Sequence, residues 1–350
     1  MELYANGSIT TKTIQASVSA TQSIVETTVG HLHSEFNELV DMLPQGLDPN
    51  IYLKIQTLGQ SFNRSKRLFH GLETEHQRRV YLQDNGMVLP QSFVIGHIPS
   101  TKADGGRCLT TATAEYVSII DTLMLFISRS PVSPPTRRGI LQSYKDTDTY
   151  HDNQYYNDHQ SAMQLTLYHD DIEVGNPLGS RAGVHKLTMF YIAVDGFYDG
   201  KLNNIHLTLI CHASDLARFG YKPILKPLLT DLEELNKGVK VQARDGNEYS
   251  LHARLEHISA DNLAANQLMG FNRSFSKGHY CRFCYADAEK CAHMVCQDST
   301  IMRTAASHRL DVESVEADKN SSKRTGVRER SALDDLSYYS VLNSTVPDIM

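Results

Sequence analysis

Two sets of residues in this 350-residue chain have types and spacing suited to metal chemistry. The first is carboxylate. Asp170-Asp171 closes the alternating run Gln164 to His169, and Asp261 follows the run Glu248 to Ile258. Such runs read as strands, so the acids stand at strand ends. Carboxylates from neighbouring strands suit hard cations such as Mg²⁺ or Mn²⁺, which take oxygen ligands and keep positions for water and phosphate. Two such ions about 3.5–4 Å apart can activate an attacking oxygen and stabilise a departing one in phosphodiester displacement. The local alternative for each Asp is a turn former or a helix N-cap.

The second set is sulfur. Cys281 and Cys284 are spaced C-x-x-C, and Cys291 and Cys296 follow closely. In a chain read as unsecreted, this points to metal rather than disulfides. Zn²⁺ prefers a tetrahedron of S and N donors, and such sites contribute folding energy. Cys281 and Cys284 are the core pair. Cys291 and Cys296 can complete a local four-cysteine site, and His279, His293 and His308 are other available donors. Cys108 and Cys211 read as ordinary buried thiols.

The elements that must position these groups follow from periodicity. Residues 1–130 are expected to be helical. Val25, Val29, Leu32, Phe36, Leu39 and Leu43 form a heptad stripe over about three heptads, either one helix of a bundle or a self-association seam. A second helix starts at Asp48-Pro49 and carries Leu58, Phe62 and Leu68. Arg64, Lys66, Arg67, Arg78 and Arg79 make a basic stretch, read as a solvated face with DNA-backbone contact as the alternative. Tyr116 to Ile127 is apolar but too short for the ~20 residues of a membrane span, so a buried helix is expected. Residues 131–160 read as a linker or arm. Beyond 161 come strands at 164–169, 185–194 and 205–211, a helix at 215–236, two strands joined through Asp245-Gly246, and a helix from Asn262. Lys323, Arg324, Arg328 and Arg330 lie in a Ser-rich segment read as a loop.

Composition narrows the class. A net charge of −6 argues against a polybasic protein, and 41% apolar residues are enough for a core. Met1-Glu2-Leu3-Tyr4 opens with neither a basic start nor an apolar run, so a nuclear or cytosolic location is expected.

Several short motifs occur in a telling order: Leu167-Tyr168-His169-Asp170-Asp171, Asn176-Pro177-Leu178-Gly179-Ser180, Gly183-Val184-His185-Lys186, Ser214-Asp215-Leu216, Ala260-Asp261-Asn262-Leu263, and Phe275-Ser276 through Tyr280-Cys281-Arg282-Phe283-Cys284. Together they resemble the animal EnSpm/CACTA-like transposases, over residues 160–350 and more loosely over 85–160. The resemblance implies an α/β fold with an incomplete ribonuclease-H-like mixed sheet over 161–350. A zinc-type C-x-x-C insertion at about 272–345 interrupts it, and a mainly α-helical region precedes it. It implies cut-and-paste DNA transposition, with transposon ends and target DNA as partners and no membrane. The first catalytic carboxylate then falls on Asp170 or its neighbour Asp171 and the second on Asp261, holding Mg²⁺ or Mn²⁺, with Zn²⁺ on Cys281 and Cys284. The end Val346-Pro347-Asp348-Ile349-Met350 is similar to the start of the family's PDIMH motif. The third carboxylate and the histidines of the zinc site are therefore expected beyond Met350. Such a chain is either a fragment of an active transposase or an inactive remnant serving as a DNA- or protein-binding module.

Overall fold

A computed structural model describes residues 11–44, 46, 48–66, 69–101, 105–127, 144–174, 185–194, 205–242, 248–296, 298–342 and 344. The chain divides into two compact units, one up to Leu89 and one from Pro90 onward.

Among the described residues, the first unit holds three helices: α1 (Thr11–Asp41), α2 (Pro49–Ser65) and α3 (Glu75–Asp84). Asp48 caps α2 by accepting from the Asn50 amide, with Pro49 in the first turn, where its missing N–H costs nothing. Thr74 and Gln77 form a capping box on α3. The α1/α2 contact is aromatic: Phe62 lies 5.3 Å from both His33 and Phe36. The heptad stripe divides. Val25, Val29 and Phe36 are half-buried, while Leu32, Leu39 and Leu43 are exposed. Arg78 is not part of a solvated basic face. It is buried and donates to the carbonyls of Leu72 and Glu73 and to Gln15 Oε1.

The second unit is built on a six-stranded mixed sheet of β1 (Gln91–Thr101), β2 (Arg107–Tyr116), β3 (Met163–Glu173), β4 (Lys186–Val194), β5 (Ile205–His212) and β8 (Ala253–Ser259). Their spatial order is β1-β2-β5-β4-β3-β8. Neighbours are antiparallel except β3 and β8, which run parallel. Helices α7 (Ala213–Phe219) and α8 (Tyr221–Lys237) fill the crossover between β5 and the far edge, and the strands β6 (Val239–Gln242) and β7 (Glu248–Leu251) pair as a separate hairpin. One helix was expected over 215–236. The break falls at Gly220, which adopts φ +74 between α7 and α8.

The core lies between α8 and one sheet face. Ile224, Leu225, Leu228, Leu232 and Leu235 form a fully buried stripe at helical spacing. They pack in one cluster with Leu165, Leu167, Phe190 and Leu209 from β3, β4 and β5. A Cβ at Gly96 of β1 would stand 2.2 Å from the Phe219 ring, so any larger residue there would have to displace that ring.

Two boundaries differ from those expected. Residues 91–101 and 107–116 are strand rather than helix. Thr110, Thr111 and Thr113 favour a pleated surface, and in β2 the residues Ala112, Ala114 and Tyr116 are buried in alternation with Thr111, Thr113 and Glu115. Helix resumes only at α4 (Ile119–Ile127), where Ile119 and Leu123 are buried as expected. The expected linker is also partly structured. After residues 128–143, which lie outside the described set, the short helices α5 (Asp148–His151) and α6 (Gln154–Asp158) join the domain. Tyr156 is buried with its hydroxyl on Glu256, and the Arg254 guanidinium stands 3.5 Å over the Tyr155 ring. Late segments share this core as well. Val312 and Val315 of α11 (Ala305–Ala317), with Val327, Leu333 and Leu336 beyond α12 (Ser322–Thr325), belong to the cluster, while α10 (Ala288–His293) buries no side chain.

Candidate metal centres

The carboxylate edge is set by strand register. Tyr168 of β3 pairs with Ser259 of β8 in the parallel ladder. Asp170 lies two residues past the first, still in β3, and Asp261 two past the second, just beyond the end of β8, so both acids follow the same rung of the ladder. Strand alternation puts Asp170 on the face of Tyr168 and Asp171 on the opposite face with His169. The Tyr168 hydroxyl donates to Asp170 Oδ2 at 2.9 Å, and the Asp171 amide donates to Asp170 Oδ1 at 2.8 Å. Partial burial and this bond push the Tyr168 phenol up to about 12, and the charges of Asp170 and Asp261 act in the same direction.

Asp171 serves the other face. Its Oδ1 accepts from Thr188 Oγ1, and its Oδ2 pairs with Lys186 Nζ at 3.0 Å. It stands in a row with Thr188 and Cys211 across β3, β4 and β5. Burial and the charges of Asp215 and Asp171 raise the Cys211 thiol to about 12, in keeping with an inert buried thiol. Beside Asp171, His169 is 3% exposed, stacks on Phe190 at 4.6 Å, and has neither ring nitrogen hydrogen-bonded. Burial lowers its pKa to about 4, against the opposing pull of Asp171, Asp170 and Asp261.

Asp261 has a local role too. It is the N-cap of α9 (Asn262–Leu268), its Oδ1 accepting from the Ala264 amide at 2.6 Å. One carboxylate oxygen therefore closes the helix end. Among the described residues, no third carboxylate or imidazole joins Asp170 and Asp261 in a ligand cluster. Two carboxylates match the donor set that Mg²⁺ usually takes from protein. Asn176–Ser180, Gly183-Val184 and 345–350 lie outside the described residues.

The sulfur site is more compact. The thiols of Cys281, Cys284 and Cys291 lie within 4.8 Å of one another and form a group that could hold a metal ion. All are free, and Cys284 is buried. Burial pushes the Cys284 thiol up to about 11, opposed by the Ala286 amide and reinforced by Cys281 and Cys291. Burial raises the Cys291 thiol too, reinforced by Cys281 and the charge of Asp287 and opposed by a bond with Tyr280. Close thiols resist losing protons together unless a cation is present. Cys296 is exposed and lies outside the group, and His279, His293 and His308 lie outside it too. His279 Nδ1 lies 2.9 Å from the Tyr285 carbonyl, and His308 is buried against Phe271.

Arg282, inside the C-x-x-C, ties the two sites together. Its guanidinium is buried and donates to Asn262 Oδ1 at 2.9 Å and Asn266 Oδ1 at 3.2 Å. Asn266 returns two bonds, to the carbonyls of Asn272 and Tyr280. The helix capped by Asp261 is thus fastened to the cysteine loop. The spacing of the sequence gives no sign of this link, because its members are separated by several turns.

The chain matches no known protein-family model and no curated protein. No helix among the described residues is long and apolar enough to cross a membrane.

Proposed function

We propose that this chain carries a ribonuclease-H-like core of the DDE/D transposase type and takes part in metal-dependent DNA strand cleavage and transfer. The observation that carries the reading is the strand order β5-β4-β3-β8. Three antiparallel strands in sequence are followed, after a helical crossover, by a fourth strand parallel to the first. That arrangement sets Asp170 and Asp261 past the same rung of the ladder. In this reading they hold Mg²⁺ or Mn²⁺, which supplies an activated water and neutralises charge on the scissile phosphate. Tyr168 orients the Asp170 carboxylate, and the α9 cap fixes Asp261. Asp171, engaged by Lys186 and Thr188, keeps β3 against β4. Zn²⁺ at Cys281 and Cys284 is structural. Transposon ends and target DNA are the partners, in the nucleus.

A second reading, a non-catalytic DNA- or protein-binding module, is favoured by one fact: Asp171 and Asp261 both have structural partners, and no third acid joins the pair among the described residues. Mn²⁺ separates the two. Titrated into the ¹⁵N-labelled chain, it is expected to broaden amides around 168–171 and 259–262 selectively. Asp170→Asn and Asp261→Asn should each abolish this broadening. Broadening that is uniform, or that survives both substitutions, removes the nuclease reading.

A further inference from the structure

We infer that Cys291 is a full ligand, with Cys281 and Cys284, of one zinc-type metal ion, and that this ion is the main staple of the lobe between Asn272 and Arg303. The inference is independent of whether Asp170 and Asp261 bind Mg²⁺.

Two observations carry it. The first is how the thiols are delivered. The loop closes on itself through the antiparallel bridge of His279 with Asp287 and the bond from the Ala288 amide to the Gly278 carbonyl. Asp287 then caps α10, accepting from the Lys290 amide at 2.8 Å, and the Cys291 amide donates to the Asp287 carbonyl. One turn of helix therefore carries Cys291 back onto the C-x-x-C. Cys284 is held from the other side by its bridge to Met302, and Arg303 Nε donates to the Cys281 carbonyl at 3.1 Å. Every backbone segment bearing a thiol is fixed by bonds that do not use the thiols.

The second observation is what the lobe lacks. Among its described residues the only buried apolar side chains are Cys284 and Ala286, and Val295 is 98% exposed. Burial on that scale cannot fix some thirty residues, and small lobes without a core rely on metals or disulfides. The cysteines are unpaired, and a chain in a reducing compartment keeps them so. Three thiolates around Zn²⁺ supply three corners of a tetrahedron. No further Cys, His, Asp or Glu joins them among the described residues, including the downstream His308.

The test uses the full chain, stripped by chelation and titrated with Co²⁺. One equivalent should give tetrahedral d–d bands and sulfur-to-cobalt charge transfer. Cys291→Ser should reduce the charge transfer in proportion to the thiolate lost. Losing a group that merely orients a metal ligand already costs about 10–100-fold in affinity, so losing this ligand should cost at least about 100-fold. Cys291→His should restore tight binding with an altered spectrum, and Cys108→Ser should change nothing. On the wild-type chain, zinc should protect Cys281, Cys284 and Cys291 together from alkylation, with exposed Cys296 as the reactive reference. Alkylation of Cys291 at the same rate with and without zinc, while Cys281 and Cys284 are protected, overturns the proposal. So does cobalt binding undiminished in Cys291→Ser.

Discussion

The two candidate centres are built by opposite means. The carboxylate edge is a product of register: Asp170 and Asp261 both follow the rung where Tyr168 stands opposite Ser259, because β3 and β8 run parallel. Its acids already have protein partners, a tyrosine hydroxyl for one and a helix amide for the other. The cysteine group is a product of turns. Its three thiols converge on one another, and the protein around them has almost no core. The first site stands on the sheet. The second, in the inference drawn above, relies on an ion to hold its lobe. Position in a sheet gives rigidity without filled coordination, whereas a loop needs the coordination itself.

The sharpest way to probe the rigid side is pH, through His169. Its folded-state pKa of about 4 lies below its ordinary 6.5. As pH falls below about 6.5 the unfolded chain gains this proton first, so stability is lost between roughly pH 6.5 and 4 and is full above that window. The loss amounts to about 3 kcal/mol by the conversion of pKa shift to free energy. His169→Phe keeps the stack on Phe190 and should flatten this acid limb in urea titrations. An unchanged limb would mean that His169 is not the buried neutral group beneath the carboxylates.

The joint between the two sites is the next target. Arg282→Met removes both donors to Asn262 and Asn266 while keeping an apolar stem, and should cost about 2 kcal/mol in urea unfolding, as for buried hydrogen bonds to a charged group. Hydrogen exchange should rise at the amides of α9 while those of β3 stay protected. If α9 and the cysteine loop remain equally protected, the sites are independent.

The smallest expected effect separates Asp261 the cap from Asp261 the ligand. Asp261→Ala loses the bond to the Ala264 amide and should cost about 1 kcal/mol. Asp261→Asn keeps a good cap and should cost close to nothing, yet still lose the Mn²⁺ effect. Equal destabilisation by both substitutions would deny the cap described here.

Much of the sheet was legible. β3, β4 and β5 announce themselves through alternation or long apolar runs between turn residues, and Asp261 before Asn262-Leu263 reads as a helix start. The hairpin β1–β2 was not, because alternation in β1 is blurred by a bulge between Val94 and Gly96, and adjacent threonines carry no burial signal of their own. Residues 144–158 were missed for a similar reason: tyrosines and histidines among polar residues look like a linker until Tyr156 is seen buried.

By itself the sequence determined the identity and local roles of the reactive groups: which strands end in acids, which cysteines are spaced C-x-x-C, and which stripe of leucines must face a core. These follow from period and propensity, which act within a few residues. Only the tertiary structure decided that the strand leading to Asp261 runs beside the one bearing Asp170, that Cys291 rather than a histidine joins Cys281 and Cys284, and that Arg282 bonds the helix after Asp261 to the cysteine loop. Those choices depend on strand pairing and loop closure between distant segments, and a one-dimensional pattern carries no term for either.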